Sequence, residues 1–167
     1  MNENNYSLKD KQIIRFIDDS LRMVPKLHSE KAVNLMFNTG IVESGYDYIY
    51  EWSDGPARSY WQVEPSTAMD NFINYLNYRD KFKKQILMAC HMTEKSIESV
   101  EAIADALVCN ERFALFMARI KYYRDDLPLP KIDDYDLQGE YWDHIYNHPE
   151  RGLTAKDFKI KVMEYLS

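Results

Sequence analysis

Ile13, Ile14, Phe16, Ile17, Leu21 and Val24 recur at helical spacing, which predicts a helix over roughly 8–24 with one apolar stripe. Pro25 ends it. Ser29 then stands as an N-cap with Glu30 in the first turn. Ala32, Val33, Leu35, Met36 and Phe37 follow as a second helix that runs toward Glu43. From Ser44 to Glu64 the periodicity disappears, and Gly, Pro, Ser, Asp and aromatic residues dominate. Irregular stretches of this length inside a domain are usually functional loops. The alternation of Tyr46, Tyr48 and Tyr50 suits a short strand or hairpin within 46–52.

Helical patterning returns after the loop. Pro65, Ser66 and Thr67 open a helix whose inner face is Phe72, Ile73, Tyr75 and Leu76, with Ser66 as cap. A further helix covers about 80–90. Thr93 caps a long pattern, Ile97, Val100, Ile103, Ala104 and Leu107, then Phe113, Phe116, Met117 and Ile120. That pattern is too long for one ordinary helix, so a break is expected near Cys109-Asn110. Leu127-Pro128-Leu129-Pro130 reads as an extended connector. Tyr141, Trp142, Ile145 and Tyr146 then suggest a short aromatic helix, and Thr154 caps a last one ending at Leu166. The fold class expected is mainly α. One domain spans 1–167, with an N-terminal helix in 1–28, a core in 29–125 and a C-terminal helical extension in 126–167.

Composition narrows the function classes. A chain of 167 residues can bury a core without disulfide or metal staples. The net charge of −6 argues against binding nucleic acid through its phosphates. No apolar run approaches the roughly 20 residues that span a bilayer, so no membrane insertion is expected. Met1-Asn2-Glu3-Asn4-Asn5 lacks the basic and apolar regions of a secretory signal. Cys90 and Cys109 have no CxxC spacing, and both are expected as reduced, buried thiols. No metal or cofactor is implied.

The candidate chemistry lies at Glu43. A carboxyl at the end of an apolar helix is held by a rigid element while facing the loop that follows. Partial burial disfavours its charged form, which keeps a proton at hand for a general acid. Spacing alone leaves Glu43 an ordinary helix-end residue. The segment Gly55-Pro56-Ala57-Arg58-Ser59-Tyr60-Trp61-Gln62-Val63-Glu64-Pro65-Ser66-Thr67-Ala68 adds to it. Together with Glu43-Ser44 it resembles the lysozyme-like lytic transglycosylases and goose-type lysozymes, in which a helix-ending Glu-Ser pair is followed by a Gly-x-x-Gln segment and then Pro and Thr-Ala. The variant is closest to small proteins of tailed bacteriophages. Met117-Ala118-Arg119-Ile120-Lys121-Tyr122-Tyr123, the Leu-Pro-Leu-Pro connector, and Tyr141-Trp142 with Tyr146-Asn147 extend the likeness over roughly 30–150.

The resemblance implies a lysozyme-like domain acting on bacterial peptidoglycan glycan strands, with Glu43 as catalytic acid. Ser44, Ser59, Tyr60, Trp61 and Gln62 would line the groove for N-acetyl sugars. The Gln62 amide both donates and accepts, and Trp52, Tyr60 and Trp61 offer flat faces for pyranose rings, although aromatic residues serve cores equally well. Two positions depart from the family pattern. Ser59 stands where a glycine is usual. The Tyr-Asn motif that brings a tyrosine to the acid is not in its usual form, and Arg119 and Tyr122, one helical turn apart, are taken as its substitutes.

The reaction divides on a second carboxylate. Transglycosylases use one acid and leave a 1,6-anhydro end, whereas inverting hydrolases place a base about 6.5–9.5 Å away. Glu64 stands two residues after Gln62, where goose-type sequences carry Asp; it is the candidate base, with Asp54 as the alternative. Glu64 equally suits the dipole of the helix it precedes. The rival reading is a catalytically inactive structural or adaptor protein of the phage particle, bound to other virion proteins. A helical interaction module centred on Trp142 and Tyr146 is a further one. Without a signal peptide, the expected location is the virion, or the host cytoplasm before release.

Overall fold

In the second helix every residue from Ala32 to Ser44 is buried, so the chain is organised around an element with no solvent face. The computed structural model describes residues 6–52, 54–148 and 152–167. The N-terminal segment Met1–Asn5, read above for a secretory signal, lies outside them. Eight α-helices follow in order among these residues: α1 (Leu8–Arg22), α2 (Glu30–Ser44), α3 (Pro65–Asn74), α4 (Asp80–Ala89), α5 (Val100–Cys109), α6 (Glu111–Tyr123), α7 (Tyr135–Ile145) and α8 (Ala155–Tyr165). The fold is mainly helical.

Local chemistry sets most boundaries. Ser7 and Asp10 form a reciprocal capping box at the start of α1, and Thr154 with Asp157 does the same for α8. Ser29 Oγ accepts from the Ala32 amide at 3.1 Å to open α2. Gly45 closes α2 in the left-handed region (φ 62°), and its amide reaches back to the carbonyls of Gly40 and Ile41. The expected break falls at Asn110, whose Oδ1 accepts from Phe113 N at 3.0 Å and so caps α6.

α2 packs against α1, α6 and α8, and α6 in turn packs against α1, α3, α4 and α5. Phe113 through Ile120 are buried without interruption, so α6 is the second central helix. Buried polar residues on α2 find partners across the core. Asn34 Oδ1 accepts from Gln138 Nε2 at 2.7 Å, and Asn38 Nδ2 donates to Gln138 Oε1 at 2.8 Å. These bonds fix α7 in register over α2.

Several expectations are corrected. No strand forms within 46–52; isolated bridges pair Tyr50 with Arg58 and Arg58 with Val63, because turns at Asp54 and Ser59 leave too little extended chain for a ladder. Thr93 caps a short 3₁₀ turn (Glu94–Ile97), and Ser99 caps α5 instead. Ser66 does not cap α3. Glu64 holds that position without a side-chain cap bond, and Ser66 Oγ donates to Glu64 Oε2 at 3.2 Å. The aromatic helix begins earlier than expected, since Asp134 caps it ahead of Tyr135. Both cysteines are free, but only Cys90 is buried, its thiol pushed up to about 12 by desolvation. Cys109 is exposed, because the buried stripe of α5 is Ile103 and Leu107 and position 109 turns away from it.

Two features predict stability. A Cβ at Gly139 would collide with the carbonyl oxygen of Ala155 where α7 meets the start of α8. Gly139→Ala is therefore expected to lower unfolding free energy by about 1–3 kcal/mol in urea titration, and an unchanged value would show that α7 and α8 do not need this approach. Glu111, the first residue of α6, has a buried Oε2 with no hydrogen-bond partner among the described residues, and burial pushes its carboxyl from 4.5 to about 7. The native state thus holds this proton more tightly than the unfolded chain, so stability falls as pH rises between those values. The gap in melting temperature between Glu111→Gln and wild type is expected to widen in favour of the variant from pH 5 to pH 8; a constant gap would contradict it.

Candidate active site

Glu43 occupies the last turn of α2 and is 7% exposed. Its Oε1 accepts a hydrogen bond of 2.9 Å from the indole Nε1 of Trp142, which is fully buried in α7 and packs against Phe158 of α8. The carbonyls around it are tied as well. Tyr48 Oη donates to Glu43 O at 2.8 Å, and Lys161 Nζ of α8 donates to Val42 O at 3.1 Å. A lysine on the last carbonyls of a helix also complements its dipole. The C-terminal helices therefore complete the environment of a carboxyl that belongs to α2.

Tyr122 of α6 stands close by. Burial, the Glu43 carboxylate and Tyr141 hold its phenol well above the usual range, against the opposing hydrogen bond with Thr39 and the Arg119 charge. Tyr122 Oη and Thr39 Oγ1 lie 2.9 Å apart. The Tyr122 ring stacks with Tyr141 at 5.4 Å and with Tyr146 at 5.0 Å. Tyr146, of the Tyr146-Asn147 pair, donates through its hydroxyl to Trp61 O at 2.7 Å and accepts at its own carbonyl from Lys121 Nζ at 2.7 Å. A protonated phenol in such a stack is a donor at neutral pH.

The loop from 45 to 64 is shaped by its backbone. Tyr46, Asp54, Ser59 and Gln62 all have positive φ, at 60°, 57°, 69° and 46°. Each such residue is sparsely populated and costs on the order of 1–3 kcal/mol, and non-glycine residues in this region concentrate at functional sites. Ser59 adopts a left-handed backbone that a glycine would reach without strain. It is fully buried, and its carbonyl accepts from both Gln62 N (3.1 Å) and Gln62 Nε2 (2.7 Å). Ser44 Oγ donates to Tyr60 O at 2.8 Å and accepts from Tyr46 N at 3.1 Å, pinning the loop to the end of α2.

The residues expected around Glu43 divide accordingly. Trp61 is a core residue, 1% exposed, with its Nε1 donating to Met36 O at 2.9 Å, so its ring offers no face to a sugar. Ser44, Ser59 and Gln62 are buried and engaged within the loop. Tyr60 is half-buried and tilted against Tyr46. Arg119 points away, its Nε donating to Leu27 O at 3.1 Å and its guanidinium 5.4 Å from the Tyr123 ring centroid, so it does not join the Glu43 cluster. Asp54 is exposed on the loop. Glu64 heads α3 with His148 Nε2 3.9 Å from its Oε1. Gln62, Glu64, Thr67, Lys121, Tyr146 and His148 enclose a crevice of about 10 Å³, room for one water molecule at most. In this arrangement those residues have drawn together around a space far smaller than a sugar.

The sequence pattern marked Trp142 and Tyr146 as parts of a short aromatic helix without placing them beside Glu43, and it passed over Gln138. The signal was their spacing: 138, 142 and 146 are each four apart, one face of a helix. Among the described residues no group of three or more His, Cys, Asp or Glu side chains could hold a metal ion, and no helix is long and apolar enough to cross a membrane. Compared with protein-family models, with curated proteins and with solved structures, the chain matches none.

The Trp142 contact is directly testable. Trp142→Phe keeps an aromatic ring but removes the donor, and is expected to lower unfolding free energy by about 1–3 kcal/mol. Combined with Glu43→Ala, which removes the acceptor, the two losses should be less than additive in a double-mutant cycle. Strict additivity would mean that the bond carries no coupling.

Proposed function

We propose that the chain is a lysozyme-like protein that cleaves the β-1,4-glycosidic bonds of bacterial peptidoglycan, with Glu43 as general acid, as part of a bacteriophage particle or its lysis machinery. One observation carries the reading. A buried carboxyl ends a central helix, is oriented by the Trp142 indole, and abuts a loop in which four non-glycine residues hold left-handed backbone. A carboxyl fixed in this way and shielded from bulk water has the placement a proton donor to a glycosidic oxygen requires. The likeness of Glu43-Ser44 and the 55–68 segment to the transglycosylases and goose-type lysozymes supports the choice of reaction.

In this reading Glu43 protonates the leaving oxygen. Tyr122 and Tyr146 shape the buried side of the site, and Gln62 steadies the loop from within it. Glu64 is the candidate base of a hydrolase. It lies beside Gln62 in sequence, and the nearby His148 offers a charge partner when protonated. Asp54 sits on the exposed loop and is the weaker candidate.

A second reading rests on the same contact. With its Oε1 satisfied by a buried indole, Glu43 also works as a fastener between α2 and α7, as it would in a structural or adaptor protein of a particle that has kept a lysozyme-like fold. Zymography on purified sacculi separates the two. The catalytic reading expects clearing by wild type and a loss of about 10²–10⁴-fold in rate for Glu43→Gln; absence of clearing by either protein, or equal clearing, would overturn it. Reducing ends on the released fragments would assign hydrolysis with a second carboxylate, and anhydro ends a single-acid transglycosylase.

A further inference from the structure

Between α1, the loop after α2 and the start of α6 lies a cavity of about 240 Å³. It is lined by Ile13 and Phe16 of α1, by Tyr46, Tyr60 and Trp61 of the loop, and by Glu111 of α6. Tyr46 and Trp61 commit their polar ends to α2: Tyr46 Oη donates to Phe37 O at 3.0 Å, and Trp61 Nε1 donates to Met36 O at 2.9 Å. What these two rings give the cavity is carbon. Their centroids lie 6.2 Å apart, and the Tyr60 ring is 5.5 Å from Tyr46. Among the described residues that line the space, only Glu111 carries a charge.

That carboxyl has no role in the proposed cleavage. Its Oε2 is buried without a hydrogen-bond partner among the described residues, and burial is what raises the group to about 7. The adjacent Arg112 does not answer it, because Nη1 donates to Ala89 O at 2.9 Å and Nε to Ser20 Oγ at 3.4 Å. The Glu111 charge does reach the aromatic wall: burial first, then Tyr165, Asp10 and Glu111, hold the Tyr46 phenol well above its ordinary range. A buried carboxyl without a cation is a cost that an apolar side chain at this position would avoid. Such costs concentrate where a ligand later supplies the partner.

We propose that this cavity binds a small organic cation, an ammonium group on a single ring or short alkyl body, with Glu111 as its counter-ion. The ammonium supplies the donor that Glu111 Oε2 lacks, in a charge-assisted bond. Aromatic rings add attraction for a cation within about 6 Å of their centroids. The volume falls below the roughly 300–1,000 Å³ of drug-sized sites, which limits the occupant to one ring or a short chain. An anion is repelled by Glu111, and a neutral body of the same shape leaves the carboxyl unpaired. The site stands whether or not Glu43 cleaves glycan.

The test compares three probes of nearly equal size against the full chain at pH 8, where Glu111 is charged. They are 2-phenylethylammonium, the neutral 2-phenylethanol and the anionic 3-phenylpropionate, each titrated while ¹H–¹⁵N spectra are recorded. The ammonium is expected to bind with a Kd of about 1 mM, with shifts centred on residues 12–16, 60, 61 and 111. The alcohol should bind about tenfold more weakly, and the carboxylate not at all. Glu111→Gln should remove the tenfold advantage of the ammonium and leave the alcohol as it was. Ile13→Trp, which fills the cavity from α1, should weaken both, and spectra unchanged elsewhere verify that each variant is folded. Equal binding of ammonium and alcohol, a preference for ammonium that survives Glu111→Gln, binding indifferent to Ile13→Trp, or no binding at all overturns the proposal.

Discussion

The structure turns on one buried hydrogen bond, from the Trp142 indole to the Glu43 carboxyl. A carboxyl at the last turn of a helix with no solvent face needs donors from within the protein, and α7 supplies one. Leaving this buried acceptor without its donor would cost about 1–3 kcal/mol. The contact therefore selects the position of α7 along α2. Gln138, one turn earlier on α7, repeats the arrangement by bridging Asn34 and Asn38. Lys161 of α8 adds a third tie at Val42 O. Three polar contacts in register make the C-terminal helices part of the Glu43 environment.

The loop after Glu43 follows from the same end of α2. Gly45 stops the helix, Ser44 hooks Tyr60, and Tyr146 holds the Trp61 carbonyl from the other side. Between these anchors the chain is short of room, and left-handed turns at Tyr46, Asp54, Ser59 and Gln62 take up the difference. The strain is offset by burial of Trp61 and by the carbonyl of Ser59 serving two donors of Gln62. Side chains that a linear reading assigns to ligand contact are thereby spent on holding the loop. Trp52 is left on the exposed outer edge of the loop.

Much of this was legible in the chain. The apolar stripe of α1, the Ser29 cap, the break at Asn110 and the Thr154 cap rest on local chemistry, and local chemistry survives folding. The placement of Glu43 at a helix end before an irregular loop was legible for the same reason. What escaped was set by contacts nearly 100 residues apart in sequence. Trp142 looks like any core aromatic until α7 is laid on α2, and Tyr146 looks like its companion. Arg119 lies close enough to Tyr122 for its charge to act on that phenol, as helical spacing implies, yet its guanidinium is committed to the Leu27 carbonyl and does not reach Glu43. The alternation of Tyr46, Tyr48 and Tyr50 mimics a strand, but the left-handed backbone at Tyr46, Asp54 and Ser59 breaks any ladder before it can extend.

The most direct measurement is mass spectrometry of the glycan fragments released from purified peptidoglycan by the intact chain, beside the Glu43→Gln chain at equal folded concentration. The account predicts disaccharide-bearing fragments from wild type and their near-complete loss with the glutamine, which keeps the acceptor for Trp142 and removes only the proton. Fragments released equally by both chains, or by neither, would contradict it.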